Sequence, residues 1–112
     1  MLSKNYRMKK NSQFDYIFRN GKTLKNRNVL IFYSKSNSIN PKIGVVVSKK
    51  IGNSVTRNHV KRVLREVIHK HIPILNNKYN YIFVARQGIE TLKYDEIDEI
   101  ISKMIENNGL NV

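Results

Sequence analysis

The spacing of apolar residues predicts helices in the middle and at the end of the chain. From Thr56 to Ile72 the apolar positions follow the i, i+3, i+4, i+7 spacing of an amphipathic helix, which Pro73 ends or kinks. Residues 94–109 have the same spacing and finish with a glycine, so they are predicted to form the last helix. Each helix has one apolar face, which indicates that both pack against a common core.

A shorter helix is predicted near the start of the chain. Ser12 and Asp15 have the spacing of a capping box, and Gly21 is a suitable stop. The apolar side chains that share one face of this helix are Phe14, Ile17 and Phe18. Residues 1–11, which precede it, are basic and have no periodicity, so we expect a flexible arm there.

Three segments rich in β-branched and aromatic residues are predicted strands, at residues 29–35, 42–50 and 79–86. The first two are expected to form an antiparallel hairpin, and residues 22–28 a polar loop or a short edge strand. The resulting order, α-β-β-α-β-α, predicts an α+β fold in which helices pack on a central, mostly antiparallel sheet. The length of 112 residues fits one compact domain covering residues 1–112.

The charge of the chain is concentrated in its first half. Residues 1–65 contain sixteen Lys and Arg residues and a single acid, Asp15, whereas residues 66–112 contain five Lys and Arg residues and seven acids. The whole chain has a formal net charge of +13. A positive field of this kind favours a polyanion, most simply a nucleic acid, because each neutralised phosphate releases condensed counterions.

Composition also excludes several classes of site. The chain has no cysteine, which excludes disulfides, thiolate metal sites and cysteine nucleophiles and fits a reducing, cytoplasmic setting. It has no long apolar run, so a membrane partner is not expected. Converging carboxylates for a metal-dependent nuclease and a paired general acid and base are not visible either, so we predict no catalytic residue and no metal ligand in the chain itself.

The predicted middle helix collects polar and cationic residues on one face. A helical wheel places these residues within about 100° of one another: Asn58, Lys61, Arg62, Arg65 and His69. A solvated face normally mixes charges of opposite sign, since such pairs stabilise a helix by about 0.2–0.5 kcal/mol each. Here Glu66 is the only acid, so the arrangement costs helix stability unless a polyanion lies against it. A merely solvated face stays open as the alternative.

The start of the same helix is a second candidate for phosphate binding. Residues 52–56 bring glycine, asparagine, serine and threonine to a helix N-terminus, where free N–H groups and the helix dipole attract anions. Lys49 and Lys50 are predicted to end the preceding strand nearby. The Walker A pattern is absent, so binding of a nucleoside triphosphate is not expected.

Residues 42–67, KIGVVVSKKIGNSVTRNHVKRVLREV, resemble the signature region of the protein subunit of bacterial ribonuclease P. That pattern runs from a strand through S-x-K-x-G-x-A-V-x-R-N into R-N-R-x-K-R-x-x-R, and the residues that match it are Arg57, Asn58, Lys61, Arg62 and Arg65. The resemblance extends over nearly the whole chain, to the basic start, the strands NRNVLIF and YIFVAR, and the closing acidic helix. His59 stands where the family usually has arginine, which weakens one contact or makes it dependent on pH.

The resemblance implies an accessory role in the removal of the 5′ leader from precursor tRNA. A catalytic RNA subunit would hold the Mg²⁺ ions and hydrolyse the phosphodiester, while the protein binds that RNA through the matched helix and its flanking loop. The leader would follow a cleft between the first helix and the sheet, lined by Phe14 and Phe18 with Phe32 or Tyr33. The partners implied are the RNA subunit and precursor tRNA, with no DNA. The family also implies a left-handed βαβ crossover.

Two other functions fit the charge and the size. One is a structural rRNA-binding protein, which would have no need of an aromatic cleft. The other is a free-standing nuclease, which would cleave RNA without an RNA subunit.

Overall fold

Three helices and four strands form the fold in the part of the chain that the computed structural model describes, residues 4–37 and 39–112. In chain order they are α1 (Asn11–Asn20), β1 (Lys22–Lys25), β2 (Val29–Lys35), β3 (Ile43–Val46), α2 (Ser54–His71), β4 (Tyr79–Ala85) and α3 (Tyr94–Asn107). Short 3-10 turns follow β3, α2 and β4, at Lys49–Ile51, Ile72–Ile74 and Ile89–Thr91. The predicted α+β class is confirmed, and the polar segment after α1 contains a short edge strand.

The sheet has the order β1-β2-β4-β3, with β4 between β2 and β3. β2 pairs antiparallel with both β1 and β4, whereas β3 pairs parallel with β4. The predicted antiparallel hairpin between residues 29–35 and 42–50, which contain β2 and β3, is therefore wrong. β4 occupies the centre because Tyr81, Ile82 and Phe83 are all fully buried, which requires cover on both faces. Its parallel pairing with β3 needs a crossover connection, which α2 supplies.

Successive residues of β2 and β4 supply two separate apolar clusters on opposite faces of the sheet. On one face, Ile31 and Phe83 join the main core, which includes buried residues of α2 and α3. On the other face, Ile82 is buried with Ile17 of α1, and Phe14 and Phe32 pack against them. Helix α1 is therefore alone on its face of the sheet, whereas α2 and α3 share the other.

The ends of the helices follow local chemistry. Asn53 caps α2, since its side-chain oxygen accepts a hydrogen bond from the Thr56 N–H at 2.9 Å, so the helix begins before the predicted position. Pro73 lies in the 3-10 turn that ends α2, as predicted. At α1 the predicted capping box does not form, because the helix begins at Asn11 with Lys10 before it. Gly21 ends α1 in an extended conformation.

The basic segment before α1, predicted as a flexible arm, lies along β3 from Tyr6 onward. Residues 1–3 are outside the described residues. The Ile43 N–H donates to the Tyr6 carbonyl at 2.6 Å, and the Met8 N–H donates to the Ile43 carbonyl at 2.9 Å. The Met8 side chain is only 7% exposed and joins the cluster under α1. This part of the segment therefore extends the sheet.

Side-chain hydrogen bonds and ion pairs join the end of α2 to α3. His71 Nε2 lies 2.6 Å from Asp98 Oδ1 and 3.0 Å from Ser102 Oγ, and Lys70 Nζ lies 2.7 Å from Asp98 Oδ2. Burial alone would raise the pKa of Asp98, but the hydrogen bonds and charges of Lys70 and His71 lower it below its usual value. Because Asp98 and Ser102 meet the same ring nitrogen, the cluster lacks the arrangement of a hydrolytic triad.

Candidate nucleic-acid interface

The basic stripe consists of the cationic and amide residues of α2 that the sequence predicted to bind RNA, namely Arg57, Asn58, Lys61, Arg62 and Arg65. The inward side of the same helix buries Val60, Leu64, Val67 and Ile68. All but Arg57 line, together with Glu66, a shallow depression of about 290 Å³ on the surface. The structure therefore brings Asn58, Lys61, Arg62 and Arg65 together at one surface depression, whereas Arg57 lies outside its lining.

The positive charge of the basic stripe has no partner within the part of the chain that the structure describes. The ion pairs found there link Lys70 and His71 to Asp98, and Lys103 to Glu99, all away from the stripe. The Nε atom of Arg57 is buried and has no hydrogen-bond partner among the described residues. A buried donor without an acceptor is uncommon in folded proteins, and such a donor is usually met by an ordered water or a ligand.

Lys49 and Lys50 lie beside the start of α2, although not where the sequence predicted. Strand β3 ends at Val46, and both lysines stand in the 3-10 turn Lys49–Ile51 rather than at the end of a strand. The turn forms because Ile51 is buried in the main core and its N–H donates to the Ser48 carbonyl at 3.1 Å. Both lysine side chains are exposed next to the capped N-terminus of α2, where an anion is favoured.

Two arginines that sequence reasoning did not select lie at the same end of the sheet. The Arg86 N–H donates to the Asn28 carbonyl at 2.9 Å, and the Gln87 side-chain amide donates to the Lys50 carbonyl at 3.1 Å. These bonds join the loops after β4, before β2 and after β3, so Arg86 and the exposed Arg27 lie at the same end of the sheet as the two lysines. The sequence does show a cationic residue near one end of each of these three strands. Only the order of the strands in the sheet shows that these ends lie on the same side.

The aromatic cleft consists of Phe14 and Phe18 of α1 and Phe32 of β2. The Phe18 and Phe32 rings meet edge to face, with centroids 4.9 Å apart, and Phe18 is 41% exposed. Phe14 packs against Gly44 of β3, where an added Cβ would clash with its ring. Glycine at this position therefore lets α1 approach the sheet closely.

Tyr33 does not line the aromatic cleft, contrary to the prediction. It follows Phe32 in β2, so its side chain projects from the opposite face of the sheet. There its ring packs against Tyr79 and Tyr81, with centroids 5.3 Å and 6.3 Å away. Of the two alternatives that the sequence offered, the structure places Phe32 beside the phenylalanines of α1.

Neither a metal-binding cluster nor a membrane-spanning helix is found within residues 4–37 and 39–112. No three side chains of His, Asp or Glu in those ranges come together as potential metal ligands. None of the helices described is both long enough and apolar enough to cross a bilayer.

Comparison with known proteins gives one consistent family. The family model described as Ribonuclease P matches residues 2–108. The ribonuclease P protein component of Oceanobacillus iheyensis is 36% identical, covering 97% of this chain and 91% of its own. The corresponding protein of Streptococcus agalactiae serotype III is 34% identical over 97% of this chain and 99% of its own.

Solved structures agree with this assignment. A ribonuclease P protein mutant from Staphylococcus aureus superposes with a TM-score of 0.87 at 30% identity, covering 96% of this chain and 91% of the other. The Thermotoga maritima protein, at 21% identity, has the same fold with a TM-score of 0.82, covering 90% of this chain and 96% of the other. The chain belongs to the ribonuclease P protein family and is the protein subunit of this endoribonuclease complex, which processes the 5′ ends of tRNA.

Proposed function

We propose that the basic stripe binds the catalytic RNA subunit and that the aromatic cleft holds the 5′ leader of precursor tRNA. The observation that carries the proposal is that Lys61, Arg62 and Arg65 line one surface depression and have no carboxylate within 4 Å among the described residues. An RNA partner and a tRNA substrate are implied by the family, and the two surfaces assign a separate contact to each.

The basic stripe suits the phosphate backbone of a folded RNA. Arg62 and Arg65 each present a planar guanidinium that can donate two parallel hydrogen bonds to one phosphate. Lys49 and Lys50 extend the same field to the capped start of α2. Contacts of this kind position a protein on an RNA without reading its sequence, and they release counterions.

The aromatic cleft suits a single strand of variable sequence. Every base has a flat face, so stacking on Phe18 and its neighbours makes little demand on sequence and contributes about 1–3 kcal/mol per base. Phe18 is sufficiently exposed for a base to reach its ring. Mature tRNA has lost its leader and cannot make this contact, so the cleft distinguishes substrate from product.

The Mg²⁺ ions of the reaction are assigned to the RNA subunit in this proposal. The acidic side chains in the described ranges do not converge, and the many phosphate oxygens of an RNA are the hard ligands that Mg²⁺ prefers. The protein contributes cations that lower the repulsion between phosphates, so less Mg²⁺ is needed to hold enzyme and substrate together. We place this activity in the cytoplasm, without a membrane or DNA partner.

Reconstitution at low Mg²⁺ tests the proposal. The protein, a bacterial ribonuclease P RNA and precursor tRNA are mixed, and leader release is compared with RNA alone and with protein alone. We expect cleavage at a Mg²⁺ concentration where RNA alone is almost inactive, and none from protein alone. No stimulation would contradict the assisting role and favour a structural rRNA-binding protein, whereas cleavage by protein alone would indicate a free-standing nuclease.

A further inference from the structure

A second groove begins beside α1, away from the aromatic cleft, and passes over the edge of the sheet to Tyr33 and Tyr79 on the opposite face. The tyrosine groove consists of two adjoining depressions of about 180 and 280 Å³, which share Tyr16, Ser34 and Lys35. The larger one is also lined by Asn20, Lys22, Tyr33 and Tyr79. None of these side chains has a role in the proposal above, and Tyr33, which was predicted to line the aromatic cleft, lies here instead.

Two rings of the tyrosine groove, those of Tyr33 and Tyr79, pack against the buried ring of Tyr81. The rings of Tyr33 and Tyr79 meet edge to face, with centroids 5.3 Å apart, and the centroid of each lies 6.3 Å from that of Tyr81. Tyr81 is fully buried, and its hydroxyl donates to the Asn76 carbonyl at 2.6 Å. Burial raises the pKa of Tyr81 above its usual value. Tyr16, on α1, is 58% exposed above the groove.

The polar groups of the tyrosine groove favour an anionic strand. Lys22 and Lys35 are exposed, and neither has a carboxylate within 4 Å among residues 4–37 and 39–112. Asp15 is the only acid in the first 65 residues and does not line the groove. The pairing of β1 with β2 stops at Tyr33, so the backbone of Ser34 and Lys35 faces the groove as an open edge.

We propose that the tyrosine groove binds single-stranded RNA, namely the part of the 5′ leader that lies upstream of the nucleotides in the aromatic cleft. The inference rests on the leader contact proposed above. Tyr16 and Phe18 are two residues apart in α1 and so project about 200° from each other. Because a helix with its side chains is only about 10–12 Å wide, a leader that leaves the cleft needs to pass one helix width to reach Tyr16.

The composition favours RNA over other occupants. The exposed ring of Tyr16 and the partly buried rings of Tyr33 and Tyr79 lie beside lysines, with serine and asparagine between them. This composition combines base stacking with phosphate contacts, as in single-strand sites on other folds. A peptide strand added to the edge at Ser34 would make main-chain hydrogen bonds without needing two lysines and an exposed tyrosine.

Leader length separates the two surfaces. The holoenzyme is assayed for binding of precursor tRNA with a short leader and with a leader extended by about ten nucleotides, which is within the usual size of single-strand sites. Tyr16→Ala is expected to weaken binding of the long-leader substrate about tenfold and to leave the short-leader substrate unchanged. Tyr16→Phe keeps the ring and should bind both as the unaltered protein does. Tyr94→Ala, at a tyrosine 36% exposed on α3, is the matched control and should change neither.

Three outcomes are informative. Loss with the long leader alone supports the tyrosine groove. No loss from Tyr16→Ala with either leader overturns it, as does an equal loss with both, which would mean that the change acts through the packing of α1. Phe18→Ala in the same assay tests the cleft separately, because it should weaken both substrates. If Phe18→Ala weakens neither, the leader contact itself is refuted, whatever Tyr16→Ala does.

Photocrosslinking keeps the inference testable if Tyr16→Ala disturbs folding. Long leaders carrying 5-bromouridine in their upstream nucleotides are irradiated in the unaltered holoenzyme, and crosslinked peptides are identified by mass spectrometry. We expect crosslinks to Tyr16, Tyr33 or Tyr79 and their loss with the short leader. Crosslinks confined to other parts of the protein would overturn the proposal.

Discussion

Replacing Arg62 and Arg65 together with alanine is expected to weaken binding to ribonuclease P RNA by about a hundredfold or more. Each guanidinium that donates to a phosphate contributes about 1.5–3 kcal/mol, and about 1.4 kcal/mol corresponds to a factor of ten. The slope of log K against log salt concentration should also fall by about 2, because each lost phosphate contact releases roughly one counterion fewer. Filter binding of labelled RNA over a range of salt concentrations measures both.

The matched control for this variant is Lys93→Ala with Lys103→Ala. It also removes two positive charges, but these come from Lys93 at the start of α3 and Lys103 on α3, outside the basic stripe. We expect the control to change the affinity for ribonuclease P RNA by less than about threefold, because a solvent-exposed charge outside the contact surface contributes little. Equal losses for both pairs would mean that only net charge matters and that the basic stripe is not the contact surface.

Phe18→Ala is expected to raise the Kd of the holoenzyme for precursor tRNA by about five- to 150-fold, while binding of mature tRNA stays unchanged. The factor corresponds to the roughly 1–3 kcal/mol that one stacked base contributes. Phe18 is exposed at the surface of α1 and meets Phe32 by its edge, so its loss removes a stacking platform without opening a cavity in the core. Equilibrium binding of the two tRNAs measures the ratio directly.

Phe18→Tyr is the control for this prediction. It retains an aromatic ring of nearly the same size and should preserve most of the preference for precursor tRNA. Thermal melting of each variant checks that α1 still packs on the sheet. If Phe18→Ala weakens binding of precursor and mature tRNA equally, Phe18 is not on the leader path.

Those elements that depend on local pattern were predictable from the sequence. The apolar periodicity and Pro73 gave α2 nearly its full extent, and the aromatic and β-branched run gave β2 its observed bounds, Val29–Lys35. The pairing of strands was not predictable in this way. A hairpin between β2 and β3 satisfied the local pattern equally well, and only the burial of β4 on both faces decides that it lies between them.

The same distinction applies to the candidate site. The basic stripe could be read from the sequence because residues three and four apart share a helix face whatever the fold. Phe32 and Tyr33 could not be separated, since neighbouring strand residues project from opposite faces and the sequence does not say which face α1 covers. Arg27 and Arg86 lie at the same end of the sheet as Lys50 because of the order of the strands, which is a long-range property.

The central claim is that two separate surfaces contact two different RNAs, and site-directed crosslinking tests it most directly. The chain has no cysteine, so single cysteines can carry a photoactivated crosslinker without competition. Suitable positions are Asn58→Cys in the basic stripe, Thr23→Cys, which pairs with Phe32 in the sheet, and Lys103→Cys on α3 as the control. Each variant is irradiated in the holoenzyme with precursor tRNA or mature tRNA.

We predict that position 58 crosslinks to ribonuclease P RNA with either tRNA, that position 23 crosslinks to the leader of precursor tRNA, and that position 103 crosslinks to neither RNA. Crosslinking of position 58 to the leader, or of position 23 to ribonuclease P RNA alone, would contradict the account.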